Sequence, residues 1–313
     1  MAAGGTQHVP VLLAEVLAAL DPQPGQTIVD GTVGGGGHAE AIADRVGPTG
    51  LVVGLDRDPL ALERVEQRLA GRPVKLIQAN YSDLPELLAQ LGISGVHGVL
   101  LDLGLSSDQL ADPERGFSFA SSGPLDLRFN PLEGEPAWRL VERLSAEHLQ
   151  QLFSRYGEER FSPRIARRIV EVRRRQPIRT SAELAELVCS VVPRSHDTRI
   201  HPATRVFQAL RIAVNDELRW LEIGLRRIVD CLLPGGRLAI ISFHSLEDRR
   251  VKEAFRDDAR LDVVTRHPVT ASPAELGRNP RARSAKLRVA LRKPDATTEH
   301  ANLPPKKALS PPR

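Results

Sequence analysis

A chain of 313 residues, 41% apolar and 26% charged, can bury one large core plus a smaller module, and its composition excludes collagen-like, disordered and membrane-spanning classes. The two cysteines, Cys189 and Cys231, lie far apart and off metal-ligand spacing, which excludes a disulfide framework, gives no reason to expect a metal, and fits a reducing cytoplasm. The net charge is only +4, yet residues 155–179 hold nine Arg against three Glu and residues 266–313 hold eleven Lys or Arg against three acids. That separation suits a polyanion lying along selected faces, and equally a solvated helix face with a basic tail.

In chain order, the apolar stretch 9–20 is interrupted by Glu15 and reads as an amphipathic helix, not a signal peptide or membrane span. Strand-like runs follow at 27–31, 51–56, 74–79 and 98–103, separated by helical spacing at 39–46, 59–69 and 83–91. This alternation predicts a parallel sheet with helices on both faces. From 104 to about 202 no strand pattern is convincing, and Arg-rich helical stretches such as 162–175 predict an inserted helical module. Sheet grammar resumes with one helix over 204–232, a Pro234-Gly235-Gly236 turn, a strand at 237–243, a helix at 245–255 and strands at 261–266 and 286–291. The last is expected as an antiparallel edge or hairpin partner, giving seven strands. The expected division is 1–112 with 199–294 for an α/β nucleotide-type domain, 113–198 for the helical insertion, and 295–313 for a disordered basic tail.

The run from Asp30 to His38 sits where the first strand turns into its helix, so main-chain amides can approach a ligand closely. Gly34, Gly36 and Ala39 satisfy a loose dinucleotide-binding pattern, and Asp56 ends the second strand where an acid holds ribose hydroxyls. A nicotinamide dehydrogenase therefore competes at this point. Asp30 decides against it, because an acid before the glycines repels pyrophosphate and suits the ammonium of S-adenosylmethionine. Tyr81 after the third strand is placed to cover the adenine, and Asp102 at the end of the fourth lies beside the sulfonium or methionyl end.

Nine sequence blocks then resemble a known family. They include His8-Val9-Pro10-Val11-Leu12-Leu13, the Asp30 to His38 run, Leu101-Asp102-Leu103-Gly104-Leu105-Ser106-Ser107 and Arg115-Gly116-Phe117-Ser118-Phe119. Others are Gly123-Pro124-Leu125-Asp126-Leu127-Arg128, Tyr156-Gly157-Glu158-Glu159-Arg160 and His201-Pro202-Ala203-Thr204-Arg205. Ser242-Phe243-His244-Ser245-Leu246-Glu247-Asp248 and Asn279-Pro280-Arg281-Ala282-Arg283-Ser284 complete the set. Over nearly its whole length the chain resembles the bacterial small-subunit ribosomal RNA cytosine-N4 methyltransferases. The resemblance implies a class I methyltransferase fold, Rossmann-like, with a helical module inserted after strand four. It also implies an S-adenosyl-L-methionine site that adds Gly36, Gly37, His38 and Gln109 to Asp30, Gly34, Asp56, Tyr81 and Asp102, and a partner in the small ribosomal subunit. Monomer and homodimer are both compatible with it.

Cytosine N4 is a poor nucleophile whose lone pair is delocalised into the ring, so positioning carries much of the expected acceleration. C5 chemistry would need a cysteine nucleophile, and neither cysteine falls at a strand end. The Pro-Pro-aromatic amine loop of many amino-methyltransferases is absent after Asp102, so Asp102, Ser106, Ser242 and His244 all stand as catalytic candidates. Asp102 has a cofactor-only alternative, and His244 a helix-capping one. Phe117, Phe119 and Trp138 are read as core more readily than as base-stacking surfaces. The RNA-backbone candidates are Arg164, Arg167, Arg168, Arg173, Arg174 and Arg175 in the insertion and Arg278, Arg281 and Arg283 near the C-terminus. A methyltransferase acting on DNA or protein, and a cofactor-binding RNA assembly factor, are the competing functions.

Overall fold

The computed structural model describes residues 10–193 and 201–294. After α1 (Leu13–Leu20) the chain alternates β1 (Thr27–Asp30), α2 (Gly37–Val46), β2 (Leu51–Asp56), α3 (Pro59–Arg68), β3 (Val74–Gln78), α4 (Leu84–Gln90) and β4 (Val96–Asp102). Local chemistry sets several starts. Asp58 caps α3 by accepting the Leu60 N–H, with Pro59 at the first helical position. The glycine run itself opens α2, where Gly36 holds φ +77° and any Cβ would lie 2.3 Å from Val65.

Seven strands form one sheet in the order β3-β2-β1-β4-β5-β7-β6. The registers align Val29 with Val53 and with Val99, so the parallel strands end on one edge, where Asp30, Asp56 and Asp102 terminate β1, β2 and β4. Successive strand residues feed opposite cores. Ile28, Val52 and Leu100 pack under α1, α2 and α3, while Val29, Leu55, Val99 and Leu101 pack under α4, α11 (Glu217–Cys231) and α12 (Ser245–Asp257).

Between β4 and β5 (Leu232–Ser242) the chain passes through α5 (Ser107–Ala111) and a separate helical cluster. Its members are α6 (Ala137–Arg143), α7 (Ala146–Gly157), α8 (Ser162–Arg173), α9 (Ser181–Val191) and α10 (Thr204–Asn215). They bury a third core that includes Leu125, Val141, Phe153, Ile169, Val188 and Leu210.

Several expectations change. The single helix over 204–232 is broken at Asp216, which sits in the left-handed region at φ 51°, so α10 packs in the helical core and α11 against the sheet. β7 (Lys286–Arg292) is the antiparallel hairpin partner of β6 (Leu261–Val263), one of the two expected placements; it lies between β5 and β6, so β6, shorter than 261–266, is the edge. α1 begins only after Leu12, itself left-handed with its N–H given to Glu275 Oε1 at 2.7 Å beside α13 (Pro273–Arg278). β5 begins at Leu232 instead of 237, and the expected Pro234-Gly235-Gly236 turn is an irregularity within it, since Val96 pairs with Leu232 and Gly98 already with Arg237. The tail expected at 295–313 lies outside the described residues, as does the start of the first motif. No described helix is long and apolar enough to cross a membrane.

Candidate active site

The strand-end edge opens into a pocket lined by residues from both the sheet and the helices. One end is made of Gly31, Thr32, Gly34, Asp56, Tyr81, Asp102, Gly104, Ser106 and Gln109. Gly34 bends back at φ +50° and gives its N–H to Asp56 Oδ2 at 2.8 Å, while Asp58 N–H meets Oδ1 at 2.8 Å. The carboxylate is thereby held with spare lone pairs facing the pocket. Thr32 Oγ1 accepts the Asp102 N–H at 2.6 Å, tying the glycine turn to β4.

Burial dominates the electrostatics at this end. Desolvation pushes Asp30 and Asp56 up to about 6 and Asp102 up to about 7. Asp30 Oδ2 and Asp102 Oδ1 are buried without a hydrogen-bond partner among the described residues. Two orphaned carboxylate oxygens at adjacent strand ends fit a cationic ligand, and S-adenosylmethionine brings both an ammonium and a sulfonium.

The lining is continued by Arg57, next to Asp56, and by Phe129, Glu217, Trp220, Leu221 and Glu247 from segments distant in sequence. None of these six was singled out from sequence. A buried polar joint ties the two ends together. Asp58 Oδ2 accepts from Arg115 Nη1 at 2.8 Å and Gln109 Nε2 at 3.0 Å, and Arg115 Nη2 donates to the carbonyls of Arg128 and Phe129 at 3.0 and 2.9 Å. Asn215 Oδ1 receives the Phe129 N–H at 2.7 Å, and Arg57 Nη1 donates to the Asn215 carbonyl at 2.9 Å.

The Glu217, His244 and Glu247 ligand atoms lie within 4.8 Å of one another, the spacing of a cation site. A cation is already there: Arg211 Nε and Nη2 bind Glu217 Oε1 and Oε2 at 2.8 and 2.9 Å, with Nη2 3.9 Å from Glu247. These two carboxylates are balanced by a guanidinium.

The structure brings Gly34, Asp56, Tyr81, Asp102, Ser106 and Gln109 into one pocket wall. Asp30, Gly36, Gly37 and His38 stand behind it; His38 Nε2 contacts the Val11 carbonyl at 2.9 Å and Nδ1 lies 3.7 Å from Asp102 Oδ2. Ser106 and Gln109 form a reciprocal capping box at α5, so both also have a local structural duty. Ser242 is not among the lining residues, and its hydroxyl donates to the Lys286 carbonyl of β7 at 3.4 Å. His244 is the N-cap of α12, sharing a capping box with Glu247, as its alternative reading had it.

Phe117 is core, and Phe119 stacks on His201 and meets Phe207 edge-on. Trp138 packs against Arg139 and Arg179. Of the basic candidates, Arg164, Arg167, Arg174, Arg175, Arg278 and Arg283 are exposed, and Arg168 pairs with Glu171 at 2.9 Å. Two are spent internally. Arg173 Nη1 donates to the Val141 carbonyl at 2.6 Å, and Arg281 binds the carbonyls of Leu105 and Ser106, both at 3.1 Å, and the Ser107 hydroxyl. Composition counts charges, whereas packing decides where they point.

A sequence profile of the MraW methylase family matches residues 5–293. Curated relatives include the Ribosomal RNA small subunit methyltransferase H of Trichlorobacter lovleyi, 49% identical over 90% of this chain and 97% of its own. The proteins of the same name from Syntrophotalea carbinolica and Thermomicrobium roseum are 51% and 50% identical, covering 90% and 92% of this chain and 96% and 94% of theirs.

Proposed function

The chain belongs to the MraW methylase family, and from that premise we propose that it methylates the exocyclic N4 of one cytidine in the decoding region of small-subunit ribosomal RNA, in the cytoplasm, with S-adenosyl-L-methionine as donor. The observation that carries the reading is a single pocket whose lining joins strand-end acids, suited to a cationic nucleoside, with aromatic and further carboxylate side chains. The small-subunit methyltransferase relatives at about half identity supply the substrate class.

When bound, the donor supplies a methyl already activated by sulfonium. The protein then has to hold an amine in line with it, keep water out and accept hydrogen bonds from N–H. Asp56 is placed for the ribose hydroxyls, Tyr81 for the adenine face, and the orphaned Asp102 Oδ1 for an N–H at the reacting end. No cysteine lines the pocket, which favours amine over ring-carbon chemistry. Phe129 and Trp220 offer stacking faces to a base taken out of its helix. The exposed arginines of α8 and of the α13 region suit phosphate contacts, which position the RNA without choosing the base.

The test is to incubate the purified protein and labelled donor with small subunits lacking the modification, then digest and identify the nucleoside by mass spectrometry. N4-methylcytidine at one position is the expected result. Labelled protein or a methylated ring carbon would refute the reading.

A further inference from the structure

Transfer to an amine leaves a proton to dispose of. The N4 lone pair forms the new N–C bond, the C–S pair returns to sulfur, and the surplus N4 proton has to leave for a base. We propose that Glu247 takes this proton on Oε1, with His244 as the positioning residue that orients it; the inference rests on the cytidine reading above.

Four carboxylates line the pocket, Asp56, Asp102, Glu217 and Glu247, and their partners divide them. Asp56 is held by the Gly34 and Asp58 amides at the ribose end, and Glu217 spends both oxygens on Arg211. Asp102, its pKa raised by burial, has its unpartnered Oδ1 on the β4 wall and serves as acceptor for the other N–H. Glu247 differs in one respect. Its Oε2 accepts the Phe243 N–H at 2.9 Å, while Oε1 lies 3.1 Å from His244 Nε2 in a geometry too bent to satisfy the ring nitrogen. Oε1 therefore keeps capacity for another proton.

The capping geometry explains why this carboxylate is charged and aimed. His244 Nδ1 accepts the Glu247 backbone N–H at 3.4 Å, which assigns the ring proton to Nε2, 3.1 Å from Oε1. Burial alone would raise Glu247, but the His244 ring, Arg211 and the Phe243 amide hold it below the usual glutamate range. Its place in the first turn of α12 adds the helix dipole in the same sense. Asp102 from β4 and Glu247 from α12 thus offer acceptors on two walls of the pocket to the two N–H bonds of an exocyclic amine. On product release the protonated Glu247 returns its proton to solvent.

The decisive variant is Glu247→Gln, because Gln serves a capping box as Glu does and removes only the basic charge. Single-turnover transfer to unmethylated small subunits is expected to fall by about 100-fold or more, while donor affinity by calorimetry and the melting temperature stay close to those of the unsubstituted protein. Formate should restore part of the rate to Glu247→Ala and none to Asp56→Ala, a readout that impaired capping would not produce. In His244→Asn, which keeps a good N-cap, the acid limb of the pH–rate profile should move up as Glu247 loses its orienting ring. The other groups facing Glu247 are Arg211 from α10, Glu217 from α11, Tyr81 and Asp102, and all are unchanged in that variant. A Glu247→Gln rate within about threefold of the original would overturn the proposal. So would a stoichiometric divalent metal in the unsubstituted protein that Glu247→Gln loses. Failure of the unsubstituted protein to methylate small subunits would instead sink the cytidine reading, independently of Glu247.

Discussion

The two ends of the pocket are built in different ways. At the donor end, Gly34, Asp56, Asp102 and Gln109 follow from one rule: parallel strands of an open sheet finish on one edge, and the loops after them carry the ligand groups. At the acceptor end, Phe129, Glu217, Trp220 and Glu247 arrive from segments that only tertiary packing brings together. The donor end is thus a property of the sheet edge, and the acceptor end a property of how α11, α12 and the segment holding Phe129 are brought against that edge. The Asp58–Arg115 pair, both side chains at most 4% exposed, is the joint between them.

Breaking that joint should have the largest effect. Arg115→Ala leaves Asp58 charged, buried and unpaired, and should cost about 3–5 kcal/mol in urea unfolding. A cost below about 1 kcal/mol would mean that the two ends are held together by other interactions. Next comes the donor end alone: Asp56→Ala should weaken donor binding by about 1.5–3 kcal/mol in calorimetry, with unfolding less affected than by Arg115→Ala. Equal affinity would remove Asp56 from the ribose.

Away from the pocket, the exposed and inward-facing arginines can be separated. Arg174→Ala with Arg175→Ala should flatten the salt dependence of RNA binding by about 0.7–0.9 in slope for each phosphate left without its guanidinium. Arg173→Ala should leave the slope alone and lower the melting temperature, because its guanidinium serves Val141. If Arg173 moved the slope as much as its neighbours, its inward placement would be wrong for the bound state.

The smallest effect concerns pH. Asp30, Asp56 and Asp102 are raised by burial to about 6, 6 and 7, so the folded chain without ligand binds protons more readily than the unfolded one. Their contribution to stability therefore falls as pH rises from about 4 through 7. A cationic donor favours the ionised forms, so its affinity, and the melting-temperature gain it gives, should increase over the same window. A gain larger at pH 5.5 than at pH 8 would contradict a donor cation beside these acids.

Much of the donor end was legible because strand ends announce themselves: apolar runs stop at an acid, and glycines follow. Asp30, Asp56 and Asp102 needed only the alternation of elements to be placed on one edge. Glu217 and Trp220 were hidden by the reading of 204–232 as one helix. The break at Asp216 is a left-handed turn at a residue type that leaves no mark in the apolar periodicity, and that turn aims α11 at the pocket. Glu247 lay inside a recognised block, and the spacing from His244 suggested capping, but no pattern says that a capping carboxylate also faces a pocket. Arg173 and Arg281 were read as RNA contacts from charge alone, and direction is decided by the carbonyls they find.

The position of β7 carries a consequence for how the chain is made. Strands β1 to β5 can pair as they leave the ribosome, but β6 has no place in the sheet until β7 slots between it and β5. Until then the β5 edge, with Ala239, Ile240 and Ile241 later covered by Val289, Arg288 and Leu287, remains unpaired. A message truncated before residue 286 would therefore yield a nascent chain with the donor loops present and an open, apolar edge, a species for proteases and chaperones to remove. Synthesis of β7 is thus the step that closes the β5 edge and admits β6 to the sheet.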